Sequence, residues 1–205
     1  MHILITAGGT REYIDPVRFI SNASSGRMGY ALTRAALKAG HKVTLITAPT
    51  NQRPPSDAKL VKVETTAQMF DAVKKYFEKC DCLIMAAAVA DYTPARPAKT
   101  KIKKTAKHLT IKLKPTTDIL KWAGKKKKKN QIVVGFALED KVVRGRAEKK
   151  LKEKNLDMII ANNYVAIGAE ESTVQIKIAG REWLKLPQAS KATIAKRIVS
   201  LVGSN

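Results

Sequence analysis

Residues 2–10 read His2-Ile3-Leu4-Ile5-Thr6-Ala7-Gly8-Gly9-Thr10, a short apolar run that stops in a glycine turn. A run this brief, bounded by glycine, predicts a strand buried on both faces. Outward from it, apolar runs of strand length at residues 42–47, 59–63, 82–87, 131–136 and 157–161 alternate with segments of helical period. Alternation of this kind predicts βαβ units and a mainly parallel, doubly wound α/β sheet, Rossmann-like in type. The first crossover helix is expected over residues 26–39, with Met28, Leu32, Ala35, Ala36 and Ala39 on one face and Gly40 just past its end. A second is expected over residues 67–78, capped by Thr65 or Thr66, with Met69, Phe70, Val73 and Phe77 turned inward.

Two stretches break the alternation. Residues 91–117 form an excursion in which a loop containing Pro94 and Pro97 leads to Lys101-Ile102-Lys103-Lys104 and then to an alternating strand at residues 108–114. Residues 171–186 read as a hairpin turning at Gly180 and Arg181, followed by a helix over residues 190–201. A single domain over residues 1–205 is the expectation.

The chain has 205 residues, enough to bury a full core without disulfides or metal. Its apolar runs are all shorter than the roughly 18 residues that would suggest a membrane span. Its start carries no basic leader, so a cytoplasmic location and no membrane partner are expected. The two cysteines, Cys80 and Cys82, match neither a zinc pattern nor a C-x-x-C redox motif and are expected as buried thiols. A formal net charge of +22 would attract phosphates, nucleic acid or anionic membranes without choosing among them. The densest run, residues 125–129, is expected as a solvated loop at a helix end. Aromatics make up 5% of the chain and none flanks that run, which argues against a nucleic-acid partner.

Phosphate chemistry is nearer the surface elsewhere. The Gly8-Gly9 turn falls at the carboxyl edge of the sheet, where open α/β folds place ligands. Asn22-Ala23-Ser24-Ser25-Gly26-Arg27-Met28-Gly29 then opens the first helix, aiming backbone N–H groups and the Ser24 and Ser25 hydroxyls at one spot. Gly26 and Gly29 carry no side chain to obstruct an anion or the packing of helix on sheet. The same residues would equally make a serine-capped helix lying close on the sheet. No G-x-G-x-x-G joins the first strand to its helix, and the second strand ends without an acidic residue, so an NAD(P)-dependent Rossmann reductase is a weaker alternative. A basic nucleic-acid-binding protein is the other.

Taken together, GGTREYIDPVRFISNASSGRMG (8–29), AAAVADY (86–92), KIKK (101–104), VGFALE (134–139) and KLKEKNLDMIIAN (150–162) resemble, in order and over nearly the whole chain, the phosphopantothenate-cysteine ligases. The resemblance implies an enzyme of coenzyme A biosynthesis that joins 4'-phosphopantothenate to L-cysteine through an acyl nucleotidylate, consuming CTP or ATP with Mg²⁺ and releasing pyrophosphate. In bacteria and archaea the domain is often fused behind a flavin-dependent decarboxylase. A chain starting at the ligase's first strand implies either a monofunctional enzyme or part of a longer one.

The resemblance also carries roles. Asn22 matches the asparagine that stabilises the acyl nucleotidylate, and Lys101 the lysine that compensates negative charge beside it. Arg18 matches an arginine reaching the substrate phosphate from a neighbouring subunit. Ala87, Ala88 and Asp91 match substrate-lining positions, Asp91 also lying near the nucleotide. Gly9, Ser24, Gly26 and Gly29 fall to the nucleotide phosphates, Phe136 to the base, Lys150 and Lys154 to the triphosphate from one helix face, and Asn162 to base or ribose. Plainer roles stay open beside these: core packing for the alanines and Phe136, strand-end capping for Asn162, a solvated face for the lysines. No metal-binding residue is nominated. Lys114-Pro115-Thr116-Thr117-Asp118-Ile119 departs from the K-N-P-D-I-like segment of bacterial relatives, which touches the nucleotide, so base preference is open between CTP, favoured here, and ATP. The alternating strand of the excursion implies pairing between edges and a homodimer.

Overall fold

The computed structural model describes residues 1–106, 108–139, 143–163 and 171–204. Its core is an eight-stranded sheet. The parallel strands are β1 (His2–Ala7), β4 (Lys42–Thr47), β5 (Lys59–Lys62), β6 (Cys82–Met85), β9 (Ile132–Glu139) and β10 (Met158–Asn163), lying in the spatial order β5-β4-β1-β6-β9-β10. The chain therefore winds outward one way from β1, then returns to β1's other side with β6. That reversal opens a crevice beyond the carboxyl ends of β1 and β6, the place where such sheets take ligands. β12 (Val174–Ile178) adds antiparallel to β10, and β13 (Leu184–Lys185) closes the expected hairpin.

Two-sided burial follows directly from strand alternation. In β1, Ile3, Ile5 and Ala7 join the core beneath α1 (Arg27–Lys38) and α5 (Lys191–Gly203), while Leu4 joins the opposite core beneath α2 (Thr66–Phe77), α3 (Ile119–Lys126) and α4 (Val143–Glu153). Each fully buried aliphatic side chain of this kind contributes about 1.5–3 kcal/mol. α2 begins with a capping box, in which the Thr65 hydroxyl accepts from the Gln68 N–H and the Gln68 side chain accepts from the Thr65 N–H. α1 ends at Gly40, whose φ of 80° suits only a residue without Cβ. Cys80 and Cys82 are buried free thiols, and burial pushes both pKa values up. Among the described residues no helix is long and apolar enough to cross a membrane.

Several expectations are corrected. The excursion strand is only β8 (Leu113–Pro115), paired antiparallel to β7 (Tyr92–Pro94), and residues 108–112 carry no strand. Past β7 one more backbone bond, from the Ala95 N–H to the Lys112 carbonyl at 2.8 Å, continues the pairing, and among the described residues no strand pairs with residues 108–111. β6 stops at Met85 rather than residue 87 because the next amides turn toward β1: Ala87 N–H donates to Thr6 Oγ1 at 3.1 Å and Ala88 N–H to the Gly8 carbonyl at 2.8 Å. The lysine run is not simply solvated. Lys125 and Lys126 form the last turn of α3, Lys127 pairs with Asp157 at 2.7 Å, and Lys128 Nζ donates to the Glu78 carbonyl.

The remaining short pairings frame the crevice. β2 (Arg11–Tyr13) and β3 (Phe19–Ser21) form a hairpin after β1, and β11 (Glu171–Ser172) meets β14 (Ala189–Ser190) just before α5.

Candidate active site

A cavity of about 560 Å³ lies at the carboxyl edge of the sheet. Its walls come from the segment entering α1, the chain after β6, the start of α3, the ends of β9 and β10, and the end of α4. The first wall is built by backbone. Ser24 N–H donates to the Asn22 carbonyl at 2.8 Å, Gly26 N–H to Ser24 Oγ at 3.3 Å, and Thr50 Oγ1 to the Ser25 carbonyl at 2.7 Å. Gly26, with φ 72°, is the N-terminal cap position of α1 and has no side-chain cap, so the helix opens on the cavity through bare backbone. Asn22 Nδ2 donates to the Val89 carbonyl at 3.0 Å, joining this wall to the chain after β6.

That second wall hangs on buried hydroxyls. Thr10 Oγ1 accepts from the Ala90 N–H at 2.9 Å, and Thr66 Oγ1 and Thr116 Oγ1 both donate to the Ala90 carbonyl, at 3.3 and 2.7 Å. The side chains of Ala87 and Ala88 consequently face the space with little bulk, and Asp91 stands exposed at its edge.

The third wall is cationic. Lys150, in α4, donates to the Phe136 carbonyl at 2.8 Å. Lys154 lies one residue past the end of α4, yet its N–H still donates to the Lys150 carbonyl at 3.1 Å, so the turn persists and both lysines line the cavity. Lys154 Nζ pairs with Asp118 Oδ2 at 2.7 Å, while Asp118 Oδ1 caps α3 by accepting from the Lys121 N–H. Burial alone would raise the Asp118 pKa. The hydrogen bonds from Lys154 and Lys121 and the charges of Lys154 and Lys150 outweigh it and hold the carboxyl below its ordinary value.

The cavity thus gathers Asn22, Ser24, Gly26, Ala87, Ala88 and Asp91 on one side with Phe136, Lys150, Lys154 and Asn162 on the other. Phe136 packs against the α1/α5 core and lines the cavity at once. Gly9 and Gly29 lie beneath the lining. A Cβ on Gly9 would stand 2.9 Å from the Asn22 carbonyl oxygen, and one on Gly29 2.5 Å from Ala7 Cβ, so both glycines permit close approach of chain to chain.

Arg18 and Lys101 are also outside the lining. Asp15 Oδ2 accepts from Arg18 Nε and Nη2 at 2.9 and 2.6 Å and from the Ile102 N–H at 3.1 Å, and Arg18 Nη2 donates to the Ile102 carbonyl. One buried carboxylate therefore ties Arg18 to the segment that bears Lys101. Burial pushes the Asp15 pKa up, but the backbone N–H of Val17, the Arg18 guanidinium and the backbone N–H groups of Ile102 and Arg18 overcome it and hold the pKa far below the ordinary carboxylate range. A depressed pKa stabilises the fold above the unfolded value of about 3.9 and loses that contribution as pH falls through the folded value. Asp15→Asn is expected to lower the melting temperature at neutral pH and to flatten its fall below about pH 4. A melting series over pH showing parallel curves for variant and wild type would contradict this.

The family model described as the DNA/pantothenate metabolism flavoprotein C-terminal domain matches residues 1–204. The chain belongs to this family. Within it, the chain is 42% identical over 202 residues to the coenzyme A biosynthesis bifunctional protein CoaBC of Borreliella burgdorferi, covering 98% of this chain and 52% of that protein. It is 42% identical over 208 residues to the protein of the same name from Bacillus subtilis, covering 99% and 51%. The chain spans about half the length of these curated relatives. The crystal structure of the C-terminal domain of a CoaBC protein superposes with a TM-score of 0.84 at 38% identity, covering 100% of this chain and 96% of that one.

Sequence reasoning missed Arg27 and Lys191, which also line the cavity of this flavoprotein C-terminal domain. Arg27 lay within a quoted motif as an unremarked basic residue. Lys191 gives no local signal, because only the packing of α5 on α1 brings it there. Thr116 and Asp118 stood in the segment noted as departing from bacterial relatives, without roles of their own.

Proposed function

We propose that the chain is the phosphopantothenate-cysteine ligase part of coenzyme A biosynthesis. The observation that carries this reading is the cavity at the β1/β6 crevice, which combines a bare helix opening, small-residue walls and two lysines on a third side. A nucleotide fits with its base beside Phe136 and its phosphates between the residue 24–26 backbone and Lys150 and Lys154. The pantothenate arm then lies along Ala87 and Ala88.

The carboxylate of 4'-phosphopantothenate attacks the α-phosphorus, the bond to the bridging oxygen breaks, and pyrophosphate departs with the electron pair. The cysteine amine then attacks the acyl carbonyl and the nucleoside monophosphate leaves. A free carboxylate resists attack by an amine, so activation is the hard step, and the chain's work is positioning and charge stabilisation. Asn22 is held at the junction of the first two walls, where an amide can donate to the developing oxyanion. Mg²⁺, carried by the nucleotide phosphates, would supply charge neutralisation there with few ligands from the chain. Among the described residues no cluster of three His, Cys, Asp or Glu side chains is present, and the cavity is lined by two carboxylates, Asp91 and the Lys154-paired Asp118. CTP is the favoured nucleotide and ATP the alternative.

Arg18 and Lys101 stand together outside the lining of their own chain's cavity, which supports a homodimer in which they serve a neighbouring site. The exposed side chains of Leu109 and Leu113 supply apolar surface for such pairing. Pyrophosphate release measured with 4'-phosphopantothenate, L-cysteine and Mg²⁺, comparing CTP with ATP and omitting each component in turn, tests the reading. Release is expected to require phosphopantothenate and to be faster with CTP. No release with either nucleotide would overturn the proposal.

A further inference from the structure

Among the described residues, four cations, Arg27, Lys150, Lys154 and Lys191, line the cavity with two carboxylates, Asp91 and Asp118. Lys154 is matched by Asp118 and Lys150 is directed at the Phe136 carbonyl. Arg27 and Lys191 come from opposite ends of the sequence. Arg27 is the first residue of α1 and Lys191 the first of α5, and the packing of these helices against each other brings both to the cavity that the residue 24–26 segment also lines. Lys191 is half-buried, and burial together with the neighbouring Arg27 charge lowers its pKa. The two helix starts thus bring a guanidinium and a half-buried ammonium to one side of a cavity that the ligase reading fills with a multiply charged anion.

Resting on the ligase reading, which brings a triphosphate into this cavity, we propose that Arg27 and Lys191 form a polyphosphate subsite. It holds the β- and γ-phosphates and then the departing pyrophosphate. Lys150 and Lys154 approach from the opposite wall, so the chain grips the triphosphate from both helix layers of the fold. The two pairs divide the work: the α4 lysines hold the end of the nucleotide near the base, and the Arg27/Lys191 pair draws the leaving group away from the reacting phosphorus. The negative charge that builds on the leaving oxygens is stabilised there, without reference to the base.

Calorimetric titration of the wild-type chain and of Lys191→Gln with Mg²⁺–pyrophosphate, CTP, CMP and 4'-phosphopantothenate tests the subsite. Loss of one charge-assisted contact should weaken pyrophosphate and CTP about tenfold, leave CMP and 4'-phosphopantothenate unchanged, and be largely reversed in Lys191→Arg. Arg27→Gln should give the same pattern and serves if Lys191→Gln does not fold. Unchanged pyrophosphate affinity in a folded variant, or an equal loss for CMP or for 4'-phosphopantothenate, would overturn the assignment. The ligase reading is judged separately. Pyrophosphate that binds through Lys191 in a chain that never releases it from CTP or ATP would keep the subsite and remove the ligase. Turnover with pyrophosphate affinity indifferent to both residues would do the reverse.

Discussion

Asn22→Asp should cut turnover by about a hundredfold or more while the chain still melts cooperatively and still binds nucleotide. The expectation follows from where the amide sits. Its Nδ2 donates to the Val89 carbonyl and the Asn22 backbone carbonyl accepts from the Ser24 N–H, so one residue pins the opening of α1 to the chain after β6. A carboxylate cannot donate to Val89, and it adds negative charge where an oxyanion and phosphates must gather. The change is nearly isosteric, so the backbone wall that receives the nucleotide keeps its shape. Single-turnover measurement of acyl-nucleotidylate formation, beside a nucleotide titration, separates the two effects. Turnover equal to wild type would remove Asn22 from the chemistry. Equal losses in turnover and nucleotide affinity would make it a wall residue and nothing more.

The sequence was most informative where physics is local. β1, β4 and the helix α2 could be read almost to the residue, because two-sided burial writes a dense apolar run and a threonine pair before a helical apolar period marks a capped start, which the structure assigns to Thr65. The glycine turn and the Ser24-Ser25-Gly26 opening were legible for the same reason. What failed depends on distant partners. Residues 108–114 alternate as a strand should, but alternation states only which side chains share a face, and among the described residues the pairing with the β7 side ends at the Ala95–Lys112 bond. The lysine run looked solvated because nothing near it in sequence could pair with it; Asp157, on the turn before β10, does so across the fold. Lys191 is the clearest case, an ordinary lysine after a serine cap until α5 lies down on α1. Arg18 and Lys101 were readable as residues bearing on phosphate chemistry only through resemblance. The Asp15 carboxylate that ties their segments together was missed, since one carboxylate collecting three backbone amides and a guanidinium cannot be seen before the chain closes around it.

Gly124→Ala should be the most damaging alanine substitution among the described glycines. Gly124 lies inside α3 with its face against the turn that ends α4, and an added Cβ would overlap the Lys154 carbonyl oxygen and crowd the carbonyls of Lys154 and Asn155. Those are backbone atoms and cannot swing aside as a side chain would. The turn is also fixed from its other side: Asn155 adopts φ 51°, its Nδ2 donates to the Gly124 carbonyl at 2.8 Å, and Leu156 N–H donates to the Leu151 carbonyl at 2.9 Å. Helix propensity alone favours alanine over glycine by about 1 kcal/mol, so the sign is decided by which effect is larger. Overpacking costs about 1–3 kcal/mol and occasionally more, and the overlap here, against backbone and beyond what a shift of a few tenths of an ångström could relieve, puts this site at the upper end. The net loss should lower the melting temperature by several degrees, taking roughly 2–4 °C for each kcal/mol in a chain of this size. The same movement carries Lys154 away from Asp118 and from the cavity, so nucleotide affinity should fall in whatever fraction stays folded. A variant as stable as wild type would mean that α3 and the end of α4 can separate freely. The cationic wall would then be held by Lys150 and the Phe136 carbonyl rather than by the contact between those two helices.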